Sequence, residues 1–241
     1  MVEAAFWGFV GGFSLVLGAV AGLTFPTSQR VIGLIMAFGG GVLISALAFE
    51  LTEEAYLEGG ADAVAIGLAA GSLAFFAGDW VIDHNGGNHR KRSGGQKEES
   101  GGTAIVLGAL MDGIPESIAI GVSLLSGSGV GIAMVAAVFL SNIPESLAAS
   151  TGMRKNGRST PYIFGVWSGV MLSSTLAAAL GYAFLSDASG NVIAAIQAFA
   201  AGAILTMLAD TMMPEAFEHG GSVVGLMTVL GFASAFFLST L

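Results

Sequence analysis

The residues best suited to chemistry occur in two near-copies. Ile114-Pro115-Glu116-Ser117 is preceded by Asp112, and Ile143-Pro144-Glu145-Ser146 is preceded by Ser141 and Asn142. Asp112 and Glu116 are four residues apart, as are Ser141 and Glu145, so on a helix each pair shares one face. A proline has no N–H, so Pro115 and Pro144 release the carbonyls of Met111 and Leu140 from the helical ladder. Two such helices side by side would offer carboxylates, an amide, a hydroxyl and bare carbonyls. That is an all-oxygen donor set, the kind a hard divalent cation prefers. Taken singly, each proline reads as a packing kink, each Glu as a protonated structural residue, and Ser141 and Asn142 as interhelical hydrogen-bond partners. The joint occurrence in adjacent apolar runs outweighs those plainer readings.

The elements that must position these groups are membrane helices. Of 241 residues, 54% are hydrophobic and only 10% charged, where soluble domains carry roughly 25% charged residues. The 37 glycines suit helices that approach closely in a packed bundle. Eight stretches reach the ~20 apolar residues needed to cross a bilayer: 5–25, 31–52, 62–83, 103–125, 129–151, 161–185, 191–214 and 221–241. Their length argues against a membrane β-barrel, whose strands read as short alternating segments. The expected fold is therefore an all-α, eight-transmembrane-helix bundle over residues 1–241 as one domain, with a flexible loop at 84–102. The first run follows Met1-Val2-Glu3 without a basic segment, so a retained helix is expected there and not a cleaved leader. With no cysteine, disulfides and thiolate metal sites are excluded.

Charge gives the orientation. Arg30 lies in the first connection, Arg90, Lys91, Arg92 and Lys97 in the third, and Arg154, Lys155 and Arg158 in the fifth. These are all the Lys and Arg residues of the chain, and every one falls in an odd-numbered connection. The positive-inside rule then predicts odd connections in the cytoplasm and both termini outside.

The acidic residues divide by depth. Asp112, Glu116 and Glu145 fall well inside spans four and five, with no Lys or Arg inside the membrane to offset them. Insertion scales put a central Asp at about 2.5–3.5 kcal/mol, so protonation, hydrogen bonds or a bound cation must compensate. Glu50, Glu54, Asp79, Asp210 and Glu215 lie toward the ends of spans two, three and seven. Glu50 and Glu54 are spaced as an outer way-station, and Asp210 and Glu215 flank Pro214. These five form a candidate pathway. His84 and His89, in the 84–102 loop, are candidates for metal capture, although a solvated basic loop is the plainer reading. Met111 is the one methionine placed near the proposed site.

With these residues placed, the chain resembles the ZIP (Zrt/Irt-like) metal transporters along essentially its whole length. The likeness rests on eight spans, a His-containing loop between spans three and four, and Pro-Glu motifs in spans four and five. It extends to the glycine-rich second span (39–55) and a seventh ending in Met213-Pro214-Glu215-Ala216. The resemblance implies a divalent-metal importer of the Mn, Fe or Zn class, a homodimer, with its site between spans four and five. Rigid-body movement of one helix group against another would expose that site alternately. Matched ligands are Glu116, Asn142 and Glu145. Asp112 stands where the family has His, Gly113 where it has Asn, and Ser141 where it has His or Gln. Span six, around Trp167–Ser174, has no acidic residue. Asp112 is thus a substituted ligand and Ser141 a weak one.

Those departures predict one main site and a shift from zinc toward manganese or ferrous iron, because oxygen donors suit harder ions. The competing reading uses the same carboxylates as a proton relay for another solute. An intramembrane metalloprotease is disfavoured, since there is no His-Glu-x-x-His and no His within a span core. The expectation is thus a non-enzyme with no prosthetic group and no nucleic-acid partner. Its partners are the metal ion and the bilayer. It is expected in a cell membrane, a prokaryotic inner membrane being the anticipated one. No ATP-binding motif is present, so flux would follow an ion gradient.

Overall fold

A computed structural model of the chain describes residues 1–82, 84, 101–126 and 131–240. The loop expected at 84–102, with His89 and four of the cationic residues, lies outside them apart from His84 and the start of the fourth helix. The described residues are all-helical, with no strand among them. The helices are α1 (Val2–Thr24), α2 (Gln29–Ala46), α3 (Glu53–Ile82), α4 (Gly101–Ser123), α5 (Ile132–Lys155), α6 (Thr160–Leu185), α7 (Gly190–Met207), α8 (Met213–Gly220) and α9 (Val224–Ser239). Local signals set several ends. The Ser28 and Ser159 hydroxyls accept from the amides of Val31 and Tyr162 at the starts of α2 and α6, as N-cap residues do. At the other end of α1, Arg154 Nη1 donates to the Leu23 carbonyl at 3.2 Å.

Among the described residues, six continuous helical stretches are long and apolar enough to cross a membrane, and two of them, Gln29–Ile82 and Gly190–Ser239, run to 54 and 50 residues. At 1.5 Å per residue each would be roughly 80 Å long if straight, far beyond a hydrocarbon core of about 30 Å. Both are broken by a glycine in the left-handed region, Gly60 (φ 72°) and Gly221 (φ 68°). Beyond Gly60, α3 runs parallel to α7, with Gly67 against Ala198 and Ser72 Oγ 2.7 Å from Thr206 Oγ1. The helix before Gly60 runs antiparallel to α7: its far end, at Glu54, meets Gln197. The chain therefore reverses at Gly60. Span two, expected to end at 52, continues to this glycine through a π-helical turn at Leu47–Thr52. A second π turn, Leu208–Met212, joins α7 to α8 in the same way.

These coincidences have a common source. Leu47-Ala-Phe-Glu-Leu-Thr-Glu-Glu-Ala-Tyr-Leu-Glu-Gly-Gly60 aligns without a gap on Leu208-Ala-Asp-Thr-Met-Met-Pro-Glu-Ala-Phe-Glu-His-Gly-Gly221. The match runs back through α2 and α7, pairing Val31, Ile32, Ala37, Phe38 and Gly41 with Val192, Ile193, Ala198, Phe199 and Gly202. The spatial partners correspond as well. A Cβ on Gly41 would overlap the Thr228 carbonyl of α9, and one on Gly202 would overlap the Leu68 carbonyl of α3. Because α2 and α7 are antiparallel, the repeat is inverted, an arrangement common in membrane transporters.

The helices sort into two groups. In one, α1 packs on α5 and α6, and α6 on α4; in the other, α3 packs on α7 and α2 on α9 and α8. The largest apolar core, including Ala37, Leu43, Met134, Ala137 and Ile204, lies where α2, α5 and α7 meet and so joins the groups. Outward faces carry exposed Ile66, Leu73, Phe76, Leu172 and Leu176, as lipid contact requires.

Candidate metal pathway

Pro115 and Pro144 lie inside α4 and α5 without ending either helix. Asp112 and Glu116 are only 2% and 1% exposed. On the same helix, Ser117 Oγ donates to the Gly113 carbonyl at 2.6 Å, and Gly113 itself faces Ser174 of α6. Asn142 is tied by its donor end, Nδ2 reaching the Gly11 carbonyl of α1 at 3.2 Å, which leaves Oδ1 as the end that can serve a cation. Ser141 Oγ donates to its own helix at Val138 O, 3.1 Å away. Its backbone meets α2 where Gly39 leaves room: a Cβ there would stand 3.1 Å from Ser141 Cα and 3.3 Å from the Leu140 carbonyl, the one Pro144 releases.

Glu145 lines a cavity of about 30 Å³ together with Glu215, Thr211, Met36, Met207 and Met212. That volume holds a water-sized occupant, and Glu215 is 5% exposed within it. The Thr211 hydroxyl donates to Met207 O at 2.7 Å, so its lone pairs are what it offers the cavity. Trp167 forms part of the wall, fixed by a 2.7 Å hydrogen bond from Nε1 to Ser150 Oγ. Asp112 and Glu116 do not line this cavity; Gly108 and Ala109, one turn earlier on α4, do. Among the described residues no three His, Asp or Glu side chains converge into a metal cage. The cavity thus joins Glu145 with Glu215, while Asp112 and Glu116 are buried on α4 outside its lining.

The remaining pathway residues separate. Glu50 accepts the Met134 amide at 3.0 Å and so caps the start of α5. Glu54 accepts from Gln197 Nε2 at 3.3 Å. Asp79 follows Gly78, whose open side faces the Met111 thioether. Asp210 is exposed on the second π turn. Pro214 stands at the seam between that turn and α8, so its missing N–H falls where the ladder already changes. His84 is bound to its own helix, Nδ1 lying 2.9 Å from Trp80 O with the two rings 4.0 Å apart; His89 lies outside the described residues. Met111 packs on α3, while the cavity's thioethers come from Met36, Met207 and Met212. Gln197 was not among the residues singled out from sequence. The inverted repeat would have flagged it, because Gln197 occupies the position of Met36.

No family model matches the chain. An Arabidopsis thaliana protein named "Putative zinc transporter" is 26% identical to it over 229 residues, covering 93% of this chain. The chain spans about a third (36%) of that relative's length. The apolar helices long enough to cross a bilayer mark an integral membrane protein.

Proposed function

We propose that this chain carries divalent metal cations across a membrane as a ZIP-like transporter, with Asp112, Glu116, Ser141, Asn142 and Glu145 forming the route between α4 and α5. The reading is carried by one observation: two Pro-Glu steps lie on neighbouring antiparallel helices with Glu116 and Pro144 buried, and Glu145 opens into a water-sized cavity shared with Glu215. It is supported by the relative's name. Eight passes follow from the two glycine reversals, with both ends on the side opposite Arg30 and Arg154. The protein acts as a homodimer in a prokaryotic inner membrane and is not an enzyme. The cargo belongs to the Mn, Fe and Zn class. Oxygen at Asp112 and Ser141 pulls toward the harder ions, and the three cavity methionines toward softer ones.

Uptake of Mn²⁺, Fe²⁺ and Zn²⁺ into proteoliposomes tests the reading. Wild-type protein is expected to carry at least one of them, and Glu116→Ala with Glu145→Ala to abolish that flux. Uptake indifferent to the double substitution sinks the proposal.

A further inference from the structure

The inverted repeat places the same two positions together twice. Met36 and Glu215 line one cavity near the bundle end that carries Arg30. Their counterparts, Gln197 and Glu54, are hydrogen-bonded at the opposite end. The second pair differs in chemistry, because an amide replaces the thioether. Gln197 is 1% exposed, and its Oε1 has no hydrogen-bond partner among the described residues. Its Nε2 holds Glu54, so the same terminal amide keeps a buried acceptor within a few ångströms of a carboxylate. Buried acceptors are nearly always satisfied, and one held beside a carboxylate is suited to a cation.

The surroundings agree. Glu50 and Glu58 lie one turn to either side of Glu54 and bear on it electrostatically. Glu50 is committed to the Met134 amide. Glu58 lies over Gly190, where α7 begins; a Cβ there would be 2.9 Å from its Oε1. No Lys or Arg lies between Arg30 and Arg90 or between Arg158 and the C-terminus, so the helices that build this end bring no cation of their own to it.

We propose that Glu54 and Gln197 form a second cation-binding site, distinct from the α4/α5 route, which takes a divalent ion from the side opposite Arg30 before it reaches that route. As a capture step, this rests on the transport reading; as a binding site, it does not. Without an ion the amide donates Nε2–H to Glu54. With one, rotation of the amide about its last bond brings Oε1 to the metal beside the Glu54 carboxylate. The donors are oxygen only, a set for Mn²⁺-like ions.

The test is equilibrium dialysis of the purified full chain against MnCl₂, in a background of Glu116→Ala with Glu145→Ala. The background protein should retain one bound Mn²⁺ per chain. Adding Gln197→Leu or Glu54→Gln should weaken that binding tenfold or more. Gln197→Glu, which supplies a second carboxylate, should tighten it at least tenfold, a gain that misfolding cannot imitate. No bound Mn²⁺ in the background, or binding indifferent to all three substitutions, overturns the site. In the otherwise wild-type chain, Gln197→Leu should raise the KM for Mn²⁺ uptake several-fold with kcat little changed; an unchanged KM overturns the capture role. Binding that responds as described in a protein that moves no metal would instead count against the transport reading alone.

Discussion

The interior of each helix group and the seam between the groups are built differently. Inside the groups, glycines bring backbone onto backbone, as where Gly41 meets the Thr228 carbonyl and Gly18 the Ile143 carbonyl. Polar ties reinforce the first group: Asn142 to Gly11, Thr151 Oγ1 to Gly22 O at 3.3 Å, Arg154 to Leu23. At the seam, a Cβ on Gly39 would stand 3.1 Å from Ser141 Cα, tighter than an ordinary contact but short of the overlap seen inside the groups, Gly78 meets the flexible end of Met111, and Glu50 ties across to the Met134 amide. Backbone-to-backbone packing within the groups and side-chain packing across the seam is the arrangement that sliding of one group past the other requires, and Glu50, Glu145 and Glu215 lie along that seam.

Substitutions can break or sharpen this contrast. The largest effect is expected from Gly41→Leu, which drives a side chain into the α9 backbone: overpacking of this kind costs roughly 1–3 kcal/mol or more, and folded, monodisperse protein should be lost on size-exclusion chromatography. Gly39→Ala, at the seam, should leave the fold intact while slowing uptake several-fold; equal loss of fold in both would erase the distinction. Next is selectivity, which asks whether the first group alone chooses the ion. Asp112→His should shift the Zn/Mn uptake ratio toward zinc by about tenfold, as one imidazole ligand favours the softer ion. Met36→Leu, from the second group, should move the ratio the other way by less. If Asp112→His leaves the ratio unchanged, the hardness argument fails. Asn142→Ala removes a buried tie to α1 and should cost about 1 kcal/mol in thermal or denaturant unfolding, besides reducing uptake. The smallest effect is expected from Glu50→Gln. Loss of the cap in Glu50→Ala costs about 0.5–2 kcal/mol, whereas Glu50→Gln keeps an acceptor for Met134 and should melt within a degree or two of wild type. Equal melting of the two variants would show that the cap contributes nothing.

Much of this architecture was legible in the chain, because lipid imposes a simple rule: apolar runs span and cationic residues punctuate. The helix starts at Thr160 and Gly190 fall within a residue of the expected 161 and 191. The Pro-Glu steps were visible because a costly pair written twice stands out against an apolar background. Three things were hidden. The π turns depend on packing and not on a local signal, so span two looked complete at 52 although it continues to Gly60. The division of labour between Glu50 and Glu54 is set by the start of α5 and by Gln197, both remote in sequence, so four-residue spacing suggested a single pair. The cavity shared by Glu145 and Glu215 joins helices 70 positions apart in the chain, which four-residue spacing within one helix does not reveal. The inverted repeat was present in the letters all along, yet of its acidic positions only Glu54 and Glu215 match, while Glu50, Glu53 and Glu58 fall opposite Thr211, Pro214 and His219.

The Glu50 contact also bears on how the protein is made. The first turn of α5 is completed by a carboxylate 84 positions earlier in the chain. A newly inserted α5 therefore holds open backbone donors near the membrane surface until α2 docks against it. Amides without protein partners there rely on interfacial water, so docking of the second helix's end improves the fifth helix's first turn. The early helices thus lend a modest guide to the pair that carries the Pro-Glu steps.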